Sequence, residues 1–147
     1  MSRQCNETLI HSFITSRLDY CNSLLYGLPD LHINRLQRVQ NSCARLICNA
    51  TKYRHVTPLL FDLHWLPVRF RIIFKILLLT YRILNGLAPL YLCQLVKTRP
   101  LSQYNLRSDN NGPLLSYPAC RSKTTLGDRA FEFAAPKLWN ALPASCA

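Results

Sequence analysis

The chain has 147 residues, of which 49% are hydrophobic and 17% charged, and its 18 Lys and Arg against seven Asp and Glu leave a net charge of +11. That length holds one domain with a buried core, and so apolar a composition predicts surface that another protein covers. Seven cysteines, an odd number with no secretory signal before Arg3, Asn6 and Glu7, argue against a disulfide framework and for reduced thiols in an intracellular protein, nuclear or cytoplasmic. The positive charge is uneven: residues 1–34 carry net −1, residues 35–75 net +7 and residues 76–147 net +5. Such a block points to a polyanion partner, nucleic acid ahead of an anionic membrane surface.

A first helix is expected from an N-cap at Asn6 to Tyr26, with Leu9, Ile10, Phe13, Ile14, Leu18, Cys21, Leu24 and Leu25 at helical spacing and Gly27 and Pro29 as its stop. Asp30 is the expected cap of a second helix running to about Asn49. Steps of about 100° per residue place Ile33, Leu36, Val39, Cys43, Leu46 and Ile47 in one arc of about 140°. Arg35, Arg38 and Arg45 share a separate arc of about 80° with Ser42, flanked by Asn34 and Asn41. One face is expected to pack. The other presents cations and amides suited to phosphate oxygens and sugar edges, because a guanidinium donates to phosphate bidentately. A solvated amphipathic face is the alternative.

Thr57 as N-cap and Pro58 at the first helical position predict a short helix between Lys52 and Pro67, with His55 and His64 at its ends read as structural. Pro67 then opens the longest apolar segment, Val68 to Leu84, stopped by Asn85, Gly86 and Pro89. Arg71, Lys75 and Arg82 cluster within about 40° around that helix, which is therefore read as central, buried on most sides and carrying one narrow basic ridge. Its longest charge-free run, Ile76 to Tyr81, is far short of the roughly 20 residues of a membrane span, so no membrane partner is expected. A short helix from Pro89 to Val96 follows. Residues 97–125 are turn-rich and read as a linker or basic arm, with an extended piece at Leu114 to Tyr117 and a basic patch at Arg121 and Lys123. Asp128 is expected to cap or begin a last helix bearing Phe131, Ala134, Ala135, Leu138, Trp139 and Leu142, kinked at Pro136 and docked by its aromatic side chains.

Catalytic chemistry is hard to find in this pattern. Two-metal nucleotidyl transfer needs carboxylates converging on ions roughly 4 Å apart, yet Glu7, Asp19, Asp30, Asp62, Asp109, Asp128 and Glu132 are scattered. Only Asp128 and Glu132 could share a helix face, where acids near a helix start are expected on dipole grounds. No phosphate-binding, dinucleotide-binding, nucleophile-elbow or zinc-protease motif occurs, so the chain is not expected to be an enzyme by itself or to need a cofactor. Cys43, Cys48, His55 and His64 form the one metal-like set, but their spacing is not that of a zinc finger, and Cys43 and Cys48 lie about 140° apart on a helix.

Five segments carry a family resemblance: TSRLDYCNSLLYGLP at Thr15–Pro29, RLQRVQNSCARLI at Arg35–Ile47, HVTPLLFDLHWLPVRFR at His55–Arg71, ILNGLAPLYL at Ile83–Leu92 and GDRAFEFAAPKLWNALP at Gly127–Pro143. Their order and spacing resemble the C-terminal part of the reverse transcriptase of non-LTR retrotransposons (LINE elements, jockey-like clades). The resemblance extends from about Ile10 to Leu142 and implies the thumb and a further C-terminal region without fingers or palm.

The expected fold is mostly α: a compact helical, thumb-like bundle over residues 6–96, an irregular basic linker or arm over 97–126 and a C-terminal helical segment over 127–143. The expected function is non-catalytic contact with the backbone of RNA or an RNA/DNA duplex through Arg35, Arg38, Arg45, Arg71, Lys75 and Arg82. A polymerase palm or another protein is the expected occupant of the exposed apolar surface. A helical protein-interaction module, a zinc-stabilised binding domain and a non-functional truncated retroelement copy are the alternatives.

Overall fold

A computed structural model describes residues 2–99, 114–119 and 127–143. The expected basic patch at Arg121 and Lys123, most of the expected arm, and Cys120 and Cys146 lie outside the described residues. The protein is mostly α-helical. Among the described residues the only β pairing is an isolated antiparallel bridge between Thr98 and Leu115. The chain forms two compact units, Met1–Ile72 and Ile73–Ala147, divided within a helix that continues from one into the other.

In the first unit, α1 (Arg3–Ile10) is capped by Ser2, whose Oγ accepts the N–H of Cys5 at 3.3 Å, so the helix starts before the expected cap at Asn6. A π-helical turn, His11–Thr15, joins it to α2 (Ser16–Asp19). Thr8, Ser12 and Ser16 each turn their hydroxyl back onto the carbonyl four residues earlier, a bond that competes with regular helix geometry. The helix ends at Asp19 rather than Tyr26, because Cys21 is left-handed at φ 50° and only a 3-10 turn, Asn22–Leu25, follows. Then come α3 (Asp30–Ile47) and α4 (Val56–Asp62). For α4 the N-cap is His55, with Thr57 and Pro58 already inside the helix.

The core of this unit gathers Ile10 of α1, Cys43, Ala44 and Ile47 of α3, Leu59 and Leu60 of α4, and Leu63 and Trp65 just beyond it. Each large side chain so buried contributes about 1.5–3 kcal/mol. The packed face of α3 keeps Ile33, Cys43 and Ile47 of the expected arc but is turned toward Gln40 and Ala44. Ile33, Gln40, Cys43, Ala44 and Ile47 are buried, whereas Val39 and Leu46 are exposed. Two glutamines cause the rotation. Gln40 donates to the carbonyl of Leu66 at 2.8 Å, and Gln37 accepts the N–H of Val68 at 2.9 Å while its amide donates to Gln40 and Asn41. Val68 is the first residue of α5 (Val68–Leu84), so a side chain of α3 satisfies one of that helix's otherwise unpaired first-turn donors.

Three successive helices stop by the same device. Asn49, His64 and Gly86 each adopt a left-handed conformation after α3, α4 and α5. In each case the following N–H reaches back five residues, from Ala50 to Arg45, Trp65 to Leu60 and Leu87 to Arg82, at 2.8–2.9 Å. The result is the Schellman closure of the last turn.

The second unit contains the C-terminal part of α5, then α6 (Leu90–Cys93), shorter than the expected Pro89–Val96, and α7 (Phe131–Trp139). Asp128 lies in a separate 3-10 turn, Gly127–Arg129, and the N-cap of α7 is Ala130, not Asp128. Pro136 sits inside α7. Ala134, Ala135 and Pro136 are buried, as is Trp139. The extended piece at Leu114–Tyr117 pairs with residues 97–99: Arg99 donates to Leu114 O at 2.8 Å and Ser116 donates to Lys97 O at 2.9 Å. Asn140 completes Leu115 from the other side, its Oδ1 accepting the Leu115 N–H and its Nδ2 donating to the Leu115 carbonyl, both at 3.0 Å.

Candidate nucleic-acid interface

An Asp30 start and an Asn49 stop fix α3 as an 18-residue helix, and the glutamine bonds to residues 66 and 68 fix which way it faces. Arg35 and Arg38, three residues apart and therefore neighbours on the helix surface, are exposed on the side away from Gln40. Among the described residues neither guanidinium has a hydrogen-bond or ion-pair partner. Asn34 beside them is also exposed.

Arg45 is held differently. Its guanidinium donates to the carbonyl of Arg54 at 3.4 Å, and its Nε is buried without a partner. It lines an open cleft of about 600 Å³ at the C-terminal end of α3 with Ser42, Asn49, Thr51 and Lys52. No acidic side chain is present there, so the cleft offers two cations and several neutral donors to an anion.

Arg71 is withdrawn from any outward role by its own contacts. Its side chain is 12% exposed, with one guanidinium nitrogen against both oxygens of Asp19 at 3.0 and 2.9 Å. Its Nε donates to the carbonyl of Leu66 at 2.8 Å, and its guanidinium carbon stands 6.0 Å from the centre of the Trp65 ring. His11 meets the same ring edge-on at 5.6 Å. Arg69 is likewise paired, with Asp30. The first unit therefore leaves Arg35 and Arg38 as free cations of the expected set, Arg45 half-committed and Arg71 internal.

In the second unit, Lys75 and Arg82 are exposed on α5 and have no side-chain partner among the described residues. The expectation that α5 is buried on most sides needs correcting here, since Phe74 and Tyr81 are 56% and 52% exposed. Apolar composition hid them. The available signal was their seven-residue spacing, identical to that of Lys75 and Arg82.

Cys43, Cys48, His55 and His64 are not brought together as a ligand set; among the described residues no three His, Cys, Asp or Glu side chains converge. Cys43 is buried, and loss of solvent pushes its thiol pKa up. No helix among the described residues is long and apolar enough to cross a membrane. Comparison with protein-family models, with curated proteins and with solved structures finds no match.

Proposed function

We propose that the chain is a non-catalytic nucleic-acid contact domain that lays the outer face of α3 along the sugar-phosphate backbone of RNA or an RNA/DNA duplex. The observation that carries this reading is that Arg35 and Arg38 have no partner among the described residues. Arginines in the same unit that meet a carboxylate, Arg69 and Arg71, are neutralised by it, and with seven acids in the chain the remaining positive charge must be balanced from outside. Phosphate oxygens match the guanidinium fork, and the contact is sequence-tolerant because it touches no base edge. The likeness of the five sequence segments to the end of a LINE-type reverse transcriptase supports the same reading. In that setting the domain clamps template and primer as a thumb, and the chemistry belongs to a palm outside this chain.

The test is binding of the purified chain to an RNA/DNA primer duplex across a salt series, beside Arg35→Glu/Arg38→Glu with its helicity checked by circular dichroism. We expect wild-type affinity to fall steeply with salt, and the variant to stay folded, lose most of the affinity and flatten the log–log salt slope by about 2. Equal binding by both proteins overturns the reading.

A further inference from the structure

The exposed side of α5 in the second unit carries two parallel ridges. Phe74 and Tyr81 are separated by two helical turns, about 10.5 Å along the axis. Lys75 and Arg82 repeat the same separation one residue on, about 100° round the cylinder. Both rings are more than half exposed, and both cations lack partners among the described residues. Rings and charges thus occupy adjoining flanks of one helix.

The occupant can be chosen by chemistry. A second copy of the chain would bring like cations together on molecules each carrying +11. A docked amphipathic helix could also follow Phe70, exposed four residues before Phe74, but its apolar anchors alone would leave Lys75 and Arg82 unneutralised, whereas the rings double as stacking platforms beside those charges. Unpaired bases need such platforms: every base has a π face, stacking on an aromatic ring is indifferent to sequence, and the attached phosphate requires a cation close by. A duplex hides those faces within its own stack.

We propose that this side of α5 binds single-stranded nucleic acid, with unpaired bases stacked on Phe74 and Tyr81 and their phosphates held by Lys75 and Arg82. The inference rests on the reading of the chain as a nucleic-acid contact domain and adds a strand state to it: paired backbone on α3, unpaired strand on α5.

The test uses the full chain, a single-stranded RNA oligonucleotide containing 2-aminopurine, and a blunt duplex of the same sequence. Wild type should bind the single strand with quenched 2-aminopurine fluorescence. Phe74→Leu/Tyr81→Leu, which keeps the side chains apolar, should lose the quenching and weaken single-strand binding at least tenfold while leaving duplex affinity within twofold. Lys75→Gln/Arg82→Gln should weaken single-strand binding and flatten its salt dependence. Unchanged quenching and affinity in the leucine variant overturn the α5 site and leave the α3 reading intact. Duplex binding without single-strand binding does the same, as does capture of an acidic amphipathic peptide in place of the oligonucleotide. Failure of wild type to bind either nucleic acid overturns both.

Discussion

On the inner face of α3, Gln37 and Gln40 are joined to the backbone of residues 66 and 68; on the outer face, Arg35 and Arg38 meet no protein group among the described residues. Both pairs of side chains are polar in sequence. What separates them is the partner: a buried amide satisfied by backbone is part of the packing, whereas a guanidinium left alone is available to a ligand. The same contrast recurs on α5, where Arg71 is held by Asp19 and Lys75 has no partner among the described residues.

The sharpest way to break this comparison is Gln40→Ala beside Arg38→Ala. Gln40 is 1% exposed, and its truncation leaves a void, removes its bond with Gln37 and leaves the Leu66 carbonyl with Arg71 Nε as its remaining side-chain donor. Denaturant unfolding should show a destabilisation of about 2–3 kcal/mol for Gln40→Ala and a change within about 0.5 kcal/mol for Arg38→Ala. Equal effects would mean that the two faces do not differ in the way described.

Next in size is Arg71→Ala, expected to cost about 1–2 kcal/mol, because the pair with Asp19 is half-exposed on the acid side and the Leu66 contact is lost too. Its duplex affinity should stay within twofold of wild type; a loss like that of Arg35→Glu/Arg38→Glu would place Arg71 among the ligand-binding cations after all.

His64→Gly should stabilise by about 0.5 kcal/mol in thermal or denaturant unfolding, since glycine relieves the left-handed strain at φ 53° and gives part of the gain back as unfolded-state entropy. A loss of stability would point to a contact made by the imidazole.

Smallest is the contribution of Cys43. Burial raises its thiol pKa, so its stabilising effect is complete below the unfolded value of about 8.5 and is lost as pH rises through the higher folded value. The stability difference between wild type and Cys43→Ala should therefore shrink above about pH 8.5, and Cys5 and Cys21, both exposed, should be alkylated in the native state well before Cys43. Constant differences across that range, or equal labelling, would count against the burial.

Periodicity made the long helices legible: α5 spans the apolar run between Pro67 and Asn85, and α3 starts at Asp30. It placed Ile33, Cys43 and Ile47 on the packed side of α3 but missed the turn of that side toward Gln40, because hydrophobic spacing counts every Gln as outward and every Val or Leu as inward. Gln40 reverses that rule through a partner 26 residues away, which no local pattern contains. The break after Asp19 was hidden for a related reason, since Cys21 is neither glycine nor asparagine yet takes the left-handed turn. Of the expected cations, their position on the helix was readable and their availability was not. Availability depends on where Asp19 and Asp30 fall in space, and these lie 52 and 39 residues from the arginines they neutralise.

Asn140 gives the end of the chain a specific task. By matching both backbone groups of Leu115, its side chain behaves as a one-residue neighbouring strand and sets the register of that segment against the end of α7. Both bonds come from one side chain 25 residues away, so a single amide just beyond α7 holds Leu115 from the side opposite residues 97–99.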